Sequence, residues 1–351
     1  MSKLGSKLYL LLILFLLVLP CIGLVMNAQP FENCEKREMV SLSVKNSTVS
    51  FFENFESYCK DRGAFRNVLT HISSTLKLKI FNSSPQQQQV IRGKNNWYYY
   101  TKASDGIIKS YAHTDLYLES ELESKTKGWQ LRAESLRARD VIYQVAIWPN
   151  KPTIYPENLP YQFKIQQHDT LSKLDQILQA MKDTPHEVLD VREDMKSKKS
   201  SQLYFKNDSH WNDLGAYYAY QALMRKLGIA PFELSDFEIT WQTSYSGDLI
   251  DLMGLCNSQL LKDKIPILKF KGNSKVNKIT PPNGDLSYYS CDSPTSEQTL
   301  LMFRDSYSSA LRPFLSLHFK ASYYPWSYYD ETLVNKLNPD YVVSANVERR
   351  I

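Results

Sequence analysis

Two short segments of the sequence combine the residue types that acyl transfer requires. Asp208-Ser209-His210-Trp211 places an acid two positions before a histidine, and Arg304-Asp305-Ser306-Tyr307-Ser308 offers a serine. A serine hydroxyl is a weak nucleophile unless a neighbouring base takes its proton, and a histidine oriented by a carboxylate is the usual base. We therefore hypothesise a triad in which Ser306 attacks, His210 takes the proton and Asp208 orients the imidazole ring.

The local context of both segments favours this hypothesis. Thr299–Phe303 is predicted to be a strand and Ser308–His318 a helix, so Ser306 lies at a strand-to-helix junction. Open α/β sheets bind ligands at the carboxyl ends of their strands. The N–H groups that begin a helix can stabilise a negative oxygen that develops during the reaction. In an extended segment, residues two apart point to the same side, so Asp208 can reach His210.

Purely structural explanations exist for the same residues. An Asp or Ser before a helix is often only a cap. Trp211 either stacks on a sugar or packs in the core, and Tyr307 either donates to the acyl oxygen or fills the start of the helix. Lys151 and Tyr155 follow a predicted strand at the end where sites form, but a solvated loop explains them equally well. No cysteine or histidine spacing indicates a metal site, and no cofactor is expected.

The pattern of apolar residues predicts an α/β domain. Val141–Trp148 is apolar almost throughout, which is typical of a parallel strand buried on both faces. Strands and helices then alternate, which favours a mostly parallel sheet with helices on both faces. The other predicted helices are Asn54–Leu69, Thr126–Arg139, Leu171–Met181 and Asn212–Leu227, and the other predicted strands are Trp97–Tyr100, Val188–Asp190, Leu203–Phe205 and Tyr341–Val343. Residues 29–351 are expected to form one domain, with a loop-rich insertion at 231–298.

The bulk composition excludes several classes of protein. Hydrophobic residues make up 43% of the 351 residues and charged residues 23%, which excludes a mostly disordered chain. The net charge of +5 comes from scattered lysines and arginines. This mild excess is compatible with a nearby acidic polymer or membrane surface, and it falls short of a nucleic-acid-binding surface.

The N-terminus predicts export. Lys3 and Lys7 precede an apolar run, Leu8–Val25, which is long enough to cross a hydrocarbon core. Flanking lysines favour a cytoplasmic N-terminus. Residues 1–28 are therefore predicted to be an uncleaved signal anchor, with a cleaved signal peptide as the alternative. The rest of the chain would be periplasmic or otherwise extracytoplasmic.

Four cysteines beyond the apolar run permit three disulfide pairings. We expect the pairs that are near in sequence, Cys34–Cys59 and Cys256–Cys291.

Several motifs, taken in order, resemble the alginate O-acetyltransferase family, an SGNH-hydrolase-like group that includes the DHHW proteins. The matching segments are Phe55–Tyr58 with Asp61-Arg62, Trp97–Tyr100, Pro149–Lys151 with Ile154–Pro160, Asp208–Asn212, Ser246–Leu249, Asp305–Ser308, and Val342-Val343 through Glu348-Arg349. They cover about residues 54–351. The combination is specific, although each motif alone is short.

The resemblance implies a three-layer SGNH-like domain with circularly permuted motif order, because Asp208 and His210 precede Ser306 in the chain. It implies an enzyme that acetylates an exported polysaccharide through an acetyl-serine at Ser306. It further implies a membrane-bound O-acyltransferase partner that supplies the acetyl donor. Two alternatives remain open, an acetylesterase with the same triad and an inactive accessory protein of a polysaccharide machine. Arg304 favours the second, because many members have glycine there. The alternative for Arg304 is a substrate-binding role, in which its positive charge lies near an acidic sugar.

Overall fold

The computed structural model describes residues 7–15, 18, 34, 40–42, 48–62, 66–164, 171–256, 258–282 and 284–351. The chain divides into two units. One comprises residues 1–91 with 245–261, and the other comprises residues 92–244 with 262–351. The predicted triad residues Asp208, His210 and Ser306 all belong to the second unit.

Eleven strands lie among the described residues. In chain order they are β1 Val90–Arg92, β2 Tyr98–Tyr100, β3 Ile142–Trp148, β4 Leu189–Asp190, β5 Phe237–Ser244, β6 Asp263–Phe270, β7 Val276–Ile279, β8 Tyr288–Cys291, β9 Ser296–Phe303, β10 Phe319–Tyr323 and β11 Tyr341–Val347. Seven of them form the main sheet in the order β4-β3-β11-β9-β10-β8-β7. β5 and β6 form a separate antiparallel pair.

The main sheet is mostly parallel, as predicted. β4, β3, β11, β9 and β10 run parallel to their neighbours, while β8 and β7 extend one edge in antiparallel pairing. Seven residue pairs join β11 to β3, from Tyr341 opposite Ile142 to Val347 opposite Trp148. The carboxyl ends of β3, β9 and β11 consequently lie side by side.

Helices make up much of the rest of the described chain. After the helical residues near the N-terminus, the α-helices in chain order are α1 Thr48–Arg62, α2 Arg66–Lys79, α3 Ile107–Ala112, α4 Glu119–Arg137, α5 Lys151–Ile154, α6 Tyr161–Lys164, α7 Lys173–Met181, α8 Arg192–Lys198, α9 Asp213–Lys226, α10 Asp248–Leu252, α11 Arg312–Leu315 and α12 Glu331–Leu337. Helix α9 follows the prediction closely, because the Asn212 side chain accepts hydrogen bonds from the N–H groups of Leu214 and Gly215 and so caps its start.

Alternate residues of β3 explain why both faces of the sheet are covered. Val145 and Ile147 are buried against Ile177 and Met181 of α7 on one face. Trp148 faces the other way, where its ring lies 5.4 Å from that of Trp211, just before α9. This period-two division of side chains makes β3 apolar on both sides.

Three predicted helices differ from those observed. The helix expected at Asn54–Leu69 is two helices, α1 and α2, separated by residues 63–65 outside the described part. The helix expected from Thr126 begins at Glu119, where Glu121 accepts a hydrogen bond from the N–H of Leu118 and acidic residues favour the N-terminal end.

The helix expected at Ser308–His318 is a 3₁₀ turn, Tyr307–Leu311, followed by the four-residue α11. Pro313 explains the interruption, because proline lacks an N–H and clashes with the preceding turn of a longer helix.

Residues 231–298 are not loop-rich. They contain β5, β6, α10, β7 and β8, and the two last strands extend the main sheet. The alternation of apolar and polar residues in Phe237–Ser244, with Phe237, Ile239 and Trp241 on one side, was the signal for a strand there.

In the first unit, a disulfide joins Cys34 to Cys256, with 5.4 Å between the Cα atoms. The expected pairs Cys34–Cys59 and Cys256–Cys291 are therefore wrong, and Cys59 and Cys291 are free thiols. The bonded cysteines are 222 positions apart. Nearness in sequence could not reveal this pairing, since a disulfide depends on Cα atoms brought together by the fold.

The predicted signal anchor is only partly described. Residues 7–15 and 18 are helical and exposed, and the rest of Leu8–Val25 lies outside the described residues. Within the described part of the chain, no helix has both the length and the apolar character needed to cross a bilayer.

Candidate active site

The three residues of the predicted triad lie in hydrogen-bond contact. Ser306 Oγ is 2.8 Å from Nε2 of His210, and Nδ1 of the same ring is 2.7 Å from Oδ1 of Asp208. The side chains of His210 and Asp208 keep 27% and 20% of their surface exposed. A reactant can therefore reach the groups, and the imidazole lies between a hydroxyl that can give a proton and a carboxylate that can orient it.

A tight hairpin positions the acid and the base. The N–H of Asn212 donates to the carbonyl of Leu203 at 2.9 Å, and the N–H of Phe205 donates to the carbonyl of His210 at 3.3 Å. The pairing is an isolated bridge between Tyr204 and Trp211, so the strand predicted at Leu203–Phe205 does not form, and residues 206–209 make the loop of the hairpin. Gly215 is required beside them, because a Cβ there would lie 2.3 Å from the carbonyl oxygen of Leu203.

The expectation that Asp208 and His210 lie in an extended segment is wrong, although the side chains do meet. Residues 206–210 bend sharply, and Asp208 Oδ1 accepts hydrogen bonds from both the backbone N–H of His210, at 2.9 Å, and Nδ1 of its ring. An aspartate that binds the N–H two residues on closes an Asx turn. This turn, rather than strand alternation, brings the carboxylate to the imidazole.

Ser306 follows β9, as predicted, and its position depends on the residue before it. The Asp305 carboxylate is buried and accepts hydrogen bonds from the N–H of Tyr307 at 3.0 Å and from the N–H of Val347 at 2.7 Å. Burial raises the pKa of Asp305 above its ordinary value, and the hydrogen bonds from Val347 and Tyr307 oppose this rise. The N–H of Tyr307 is thus already used, which leaves that of Ser306 as the candidate donor to a developing oxyanion.

Trp211 and Tyr307 hold the two halves of the triad together. Trp211 Nε1 donates to the Tyr307 carbonyl at 3.0 Å, and the Tyr307 hydroxyl donates to the Ser209 carbonyl at 2.8 Å. The two rings pack edge to face with centroids 5.2 Å apart. Both residues are only 1% exposed, which agrees with the packing alternative for each of them rather than with a substrate contact.

Lys151 and Tyr155 are also buried rather than open to a substrate. Lys151 is 2% exposed and Tyr155 is 4% exposed. The Tyr155 hydroxyl donates to the Lys199 carbonyl and accepts from the N–H of Leu203, both at 2.8 Å. Tyr155 thus supports the base of the hairpin, and neither alternative foreseen for it, a substrate contact or a solvated loop, describes it.

Arg304 turns away from the triad. Its guanidinium donates to the carbonyl of Tyr324 at 3.2 Å and to Ser309 Oγ at 2.9 Å, and it lies 4.7 Å from the centre of the Trp326 ring. The contact between Ser306 and His210 forms in its presence. The side chain is half-buried.

The sequence did not reveal the roles of the chain's last residues. Glu348 is buried and accepts from the N–H of Asn150 at 3.0 Å and from Thr153 Oγ1 at 2.6 Å. Burial raises the pKa of the Glu348 carboxyl. Arg349 donates to Asn150 Oδ1 at 2.9 Å. These bonds connect the end of β11 to the end of β3. Such long-range pairs carry no local sequence signal.

With this geometry, the fold and site define the class of protein as an SGNH-hydrolase-like α/β protein. PatB1 of Bacillus cereus has a similar fold, with 18% identity, 74% of this chain and 95% of that chain covered, and a TM-score of 0.54. A DHHW family protein of Eubacterium siraeum matches at 15% identity over 64% of this chain and 84% of that chain, with a TM-score of 0.50. No curated protein sequence matches significantly.

The family itself is identified by a model that covers residues 90–271, slightly more than half of the chain, and that describes the SGNH hydrolase-like domain of the acetyltransferase AlgX. The protein belongs to this family of SGNH-like acetyltransferases. The resemblance stated from the motifs is thereby confirmed at the level of the family.

Proposed function

We propose that this protein is an extracytoplasmic O-acetyltransferase that acts on an exported polysaccharide through an acetyl-serine intermediate at Ser306. The observation that carries the proposal is the contact of Ser306 Oγ with His210 Nε2 at 2.8 Å. Membership of the acetyltransferase family and the motif order Asp208, His210, Ser306, which fits a circular permutation, support it further.

In the first half-reaction, Ser306 Oγ attacks the acetyl carbonyl carbon while His210 Nε2 takes the hydroxyl proton. Asp208 stabilises the imidazolium that forms. The bond between the acetyl group and the donor then breaks, and the donor group leaves with the proton from His210. The product is an ester between the acetyl group and Ser306. General-base help of this kind is worth about 10²–10⁴-fold in rate.

In the second half-reaction, a sugar hydroxyl takes the place of the donor. His210 removes its proton, the sugar oxygen attacks the acetyl carbon, and the bond to Ser306 Oγ breaks. Ser306 recovers its proton from His210. The backbone N–H of Ser306 is the candidate donor to the negative oxygen in both steps, since the N–H of a nucleophilic serine can supply one such hydrogen bond.

We also propose that the chain works outside the cytoplasmic membrane and receives acetyl groups through a membrane-bound O-acyltransferase partner. The Cys34–Cys256 disulfide supports an oxidising compartment, because disulfides persist there and are rare in the cytosol. The apolar N-terminal segment supports attachment to the membrane, with a cleaved signal peptide as the alternative.

Mass spectrometry of the protein after brief reaction with p-nitrophenyl acetate tests the proposal. We expect an acetyl adduct on the peptide that contains Ser306, and no adduct on the Ser306→Ala protein. His210→Ala is the matched control, because it keeps the serine and removes the base, so its adduct should form far more slowly. Acetylation of an oligosaccharide by Ser306→Ala at the wild-type rate would disprove the assignment.

An acetylesterase is the second candidate, and the partial exposure of His210 and Asp208 favours it. Water that reaches the acetyl-serine would hydrolyse it, whereas a transferase must let a sugar compete. Release of acetate should be compared with and without oligomers of a uronic acid and of glucose. Acetyl transfer to an oligomer supports the transferase, and acetate release unaffected by either oligomer supports the esterase.

A further inference from the structure

The ammonium group of Lys151 lies buried beneath the segment that carries Asp208. Lys151 is the first residue of α5 and follows the end of β3 by three positions. Its Nζ donates to the backbone carbonyls of Tyr98 at 2.5 Å, of Lys206 at 3.0 Å and of Asp208 at 3.0 Å. An ammonium has three N–H donors, so these three carbonyls are enough to use all of them.

Aromatic rings complete the surroundings of this charge. Nζ lies 5.1 Å from the centre of the Trp97 ring and 5.2 Å from that of Tyr99, within the range of cation–π attraction. Burying an ammonium costs several kcal/mol unless polar groups replace the lost water. The three carbonyls and the two rings replace that water, and the ammonium in turn supplies donors to carbonyls that face inward.

Two of those carbonyls, of Lys206 and Asp208, belong to the loop that carries half of the proposed triad, and the third belongs to Tyr98 on β2. The Lys206 carbonyl also accepts from the N–H of Tyr98 at 2.9 Å, and the N–H of Lys206 donates to Asp263 Oδ2 at 2.7 Å. The Asp208 carbonyl belongs to the same residue as the carboxylate that binds His210. Fixing this carbonyl therefore limits rotation of the turn that brings Asp208 to the imidazole.

We propose that Lys151 is a positioning residue whose buried ammonium holds the Asp208 turn in its reactive conformation. This inference rests on the proposed function. The Lys151 ammonium contacts backbone carbonyls and aromatic rings. It acts through Asp208 on the orientation of His210, and hence on the rate of the chemical steps rather than on substrate binding. A displacement of about 1 Å in a catalytic group can cost about 10²-fold in rate.

Lys151→Met tests the inference, because methionine fills similar space without donating a hydrogen bond. We expect kcat for acetyl transfer from p-nitrophenyl acetate to fall about 10²-fold with KM nearly unchanged. We also expect the low-field proton resonance of the hydrogen bond between His210 Nδ1 and Asp208 to shift or disappear. Lys125→Met is the matched control. Lys125 lies on α4, and its half-buried ammonium also lies over two aromatic rings, those of Tyr117 and Trp129.

The control should keep both kcat and the resonance. A kcat equal to that of the wild type, with an unchanged resonance, in Lys151→Met would overturn the inference. A loss of activity no larger than the fraction of unfolded Lys151→Met protein would overturn it as well. If Lys151→Met does not fold, Lys151→Ala with added ethylamine decides. Saturable recovery of the rate supports the role, and no recovery overturns it. Failure of the wild-type protein to form the Ser306 adduct would instead disprove the proposed function.

Discussion

Two histidines of the same unit, His210 and His318, each lie between two hydrogen-bonding partners, yet their surroundings give them opposite properties. His210 lies between a carboxylate and a serine hydroxyl and is partly exposed. His318 is fully buried, with Nε2 2.6 Å from the Tyr220 hydroxyl and Nδ1 2.8 Å from Thr295 Oγ1.

The difference shows what makes an imidazole a base. Burial among the rings of Tyr220 and Phe232 lowers the pKa of His318 to about 4, because the charged form loses its water. The two groups that bind the His318 ring, the hydroxyls of Tyr220 and Thr295, carry no negative charge. His210 has the carboxylate of Asp208 to stabilise a positive charge, and its side chain is 27% exposed. The surroundings of His318 therefore suit packing, and those of His210 suit the proposed proton transfer.

The largest expected effect follows from removing His210. We expect His210→Ala to lower acetyl transfer at least about 10³-fold and to leave the free energy of unfolding within about 1 kcal/mol of wild type. His318→Ala should do the reverse, since it opens a cavity in the core but touches no triad residue. Transfer rates and urea unfolding of both variants measure this. Comparable activity losses in the two would contradict the division between the regions.

The pH dependence of stability sharpens the same comparison. Since the pKa of folded His318 is about 4 and that of an unfolded histidine about 6.5, the unfolded chain binds the proton more strongly between these values. Stability from this group is complete above pH 6.5 and is lost as the pH falls toward 4, by up to about 3 kcal/mol.

His318→Phe should lack this contribution. Urea unfolding of the variant and the wild type at pH 7, 5.5 and 4.5 gives the free energy of unfolding of each protein as a function of pH. A difference in free energy between the two proteins that stays constant over this range would contradict the assigned burial effect. The carboxyl groups titrate equally in both proteins, so their contributions cancel in this difference.

A smaller effect is expected from the bond between Trp211 Nε1 and the Tyr307 carbonyl. Trp211→Phe keeps an aromatic ring but removes the donor that joins the two halves of the triad. We expect a fall of about tenfold in kcat, because the orientation of Ser306 toward His210 becomes less restricted. Trp148→Phe, which loses a bond to Ser308 at 2.8 Å, is a comparison within the same aromatic cluster. An unchanged kcat for Trp211→Phe would argue against the clamp.

The smallest effect on the transfer rate is expected in the packing region. Tyr220→Phe removes the hydroxyl that binds His318 Nε2 and accepts from the N–H of Phe232 at 2.7 Å. We expect a loss of about 1–3 kcal/mol in stability, because buried groups lose their partner, and no change in transfer rate. Thermal unfolding and the p-nitrophenyl acetate assay measure the two quantities. A reduced transfer rate in folded Tyr220→Phe would link the regions and contradict their separation.

Features that depend on near neighbours were predictable. The apolar runs of β3 and β11, the Asn212 cap and the strand before Ser306 were all anticipated, since periodicity and capping act within a few residues. Both the triad residues and the family were proposed from short motifs. The strand β5 was missed although its alternation was present in the sequence.

Contacts between distant segments were not predictable in the same way. The sequence alone could not show that Cys34 bonds Cys256, or that Lys151, Trp211 and Tyr307 are buried supports rather than substrate contacts. Each of these outcomes depends on where chain segments far apart in sequence come to lie.

By itself, the sequence determined the types and order of the reactive residues and the parallel architecture, because residue chemistry and hydrophobic period are local properties. Only the tertiary structure decided that Ser306 meets His210, 96 positions away, and which polar side chains face solvent. Burial and hydrogen-bond distance are properties of the packed chain, since they arise when separate elements exclude water from one another.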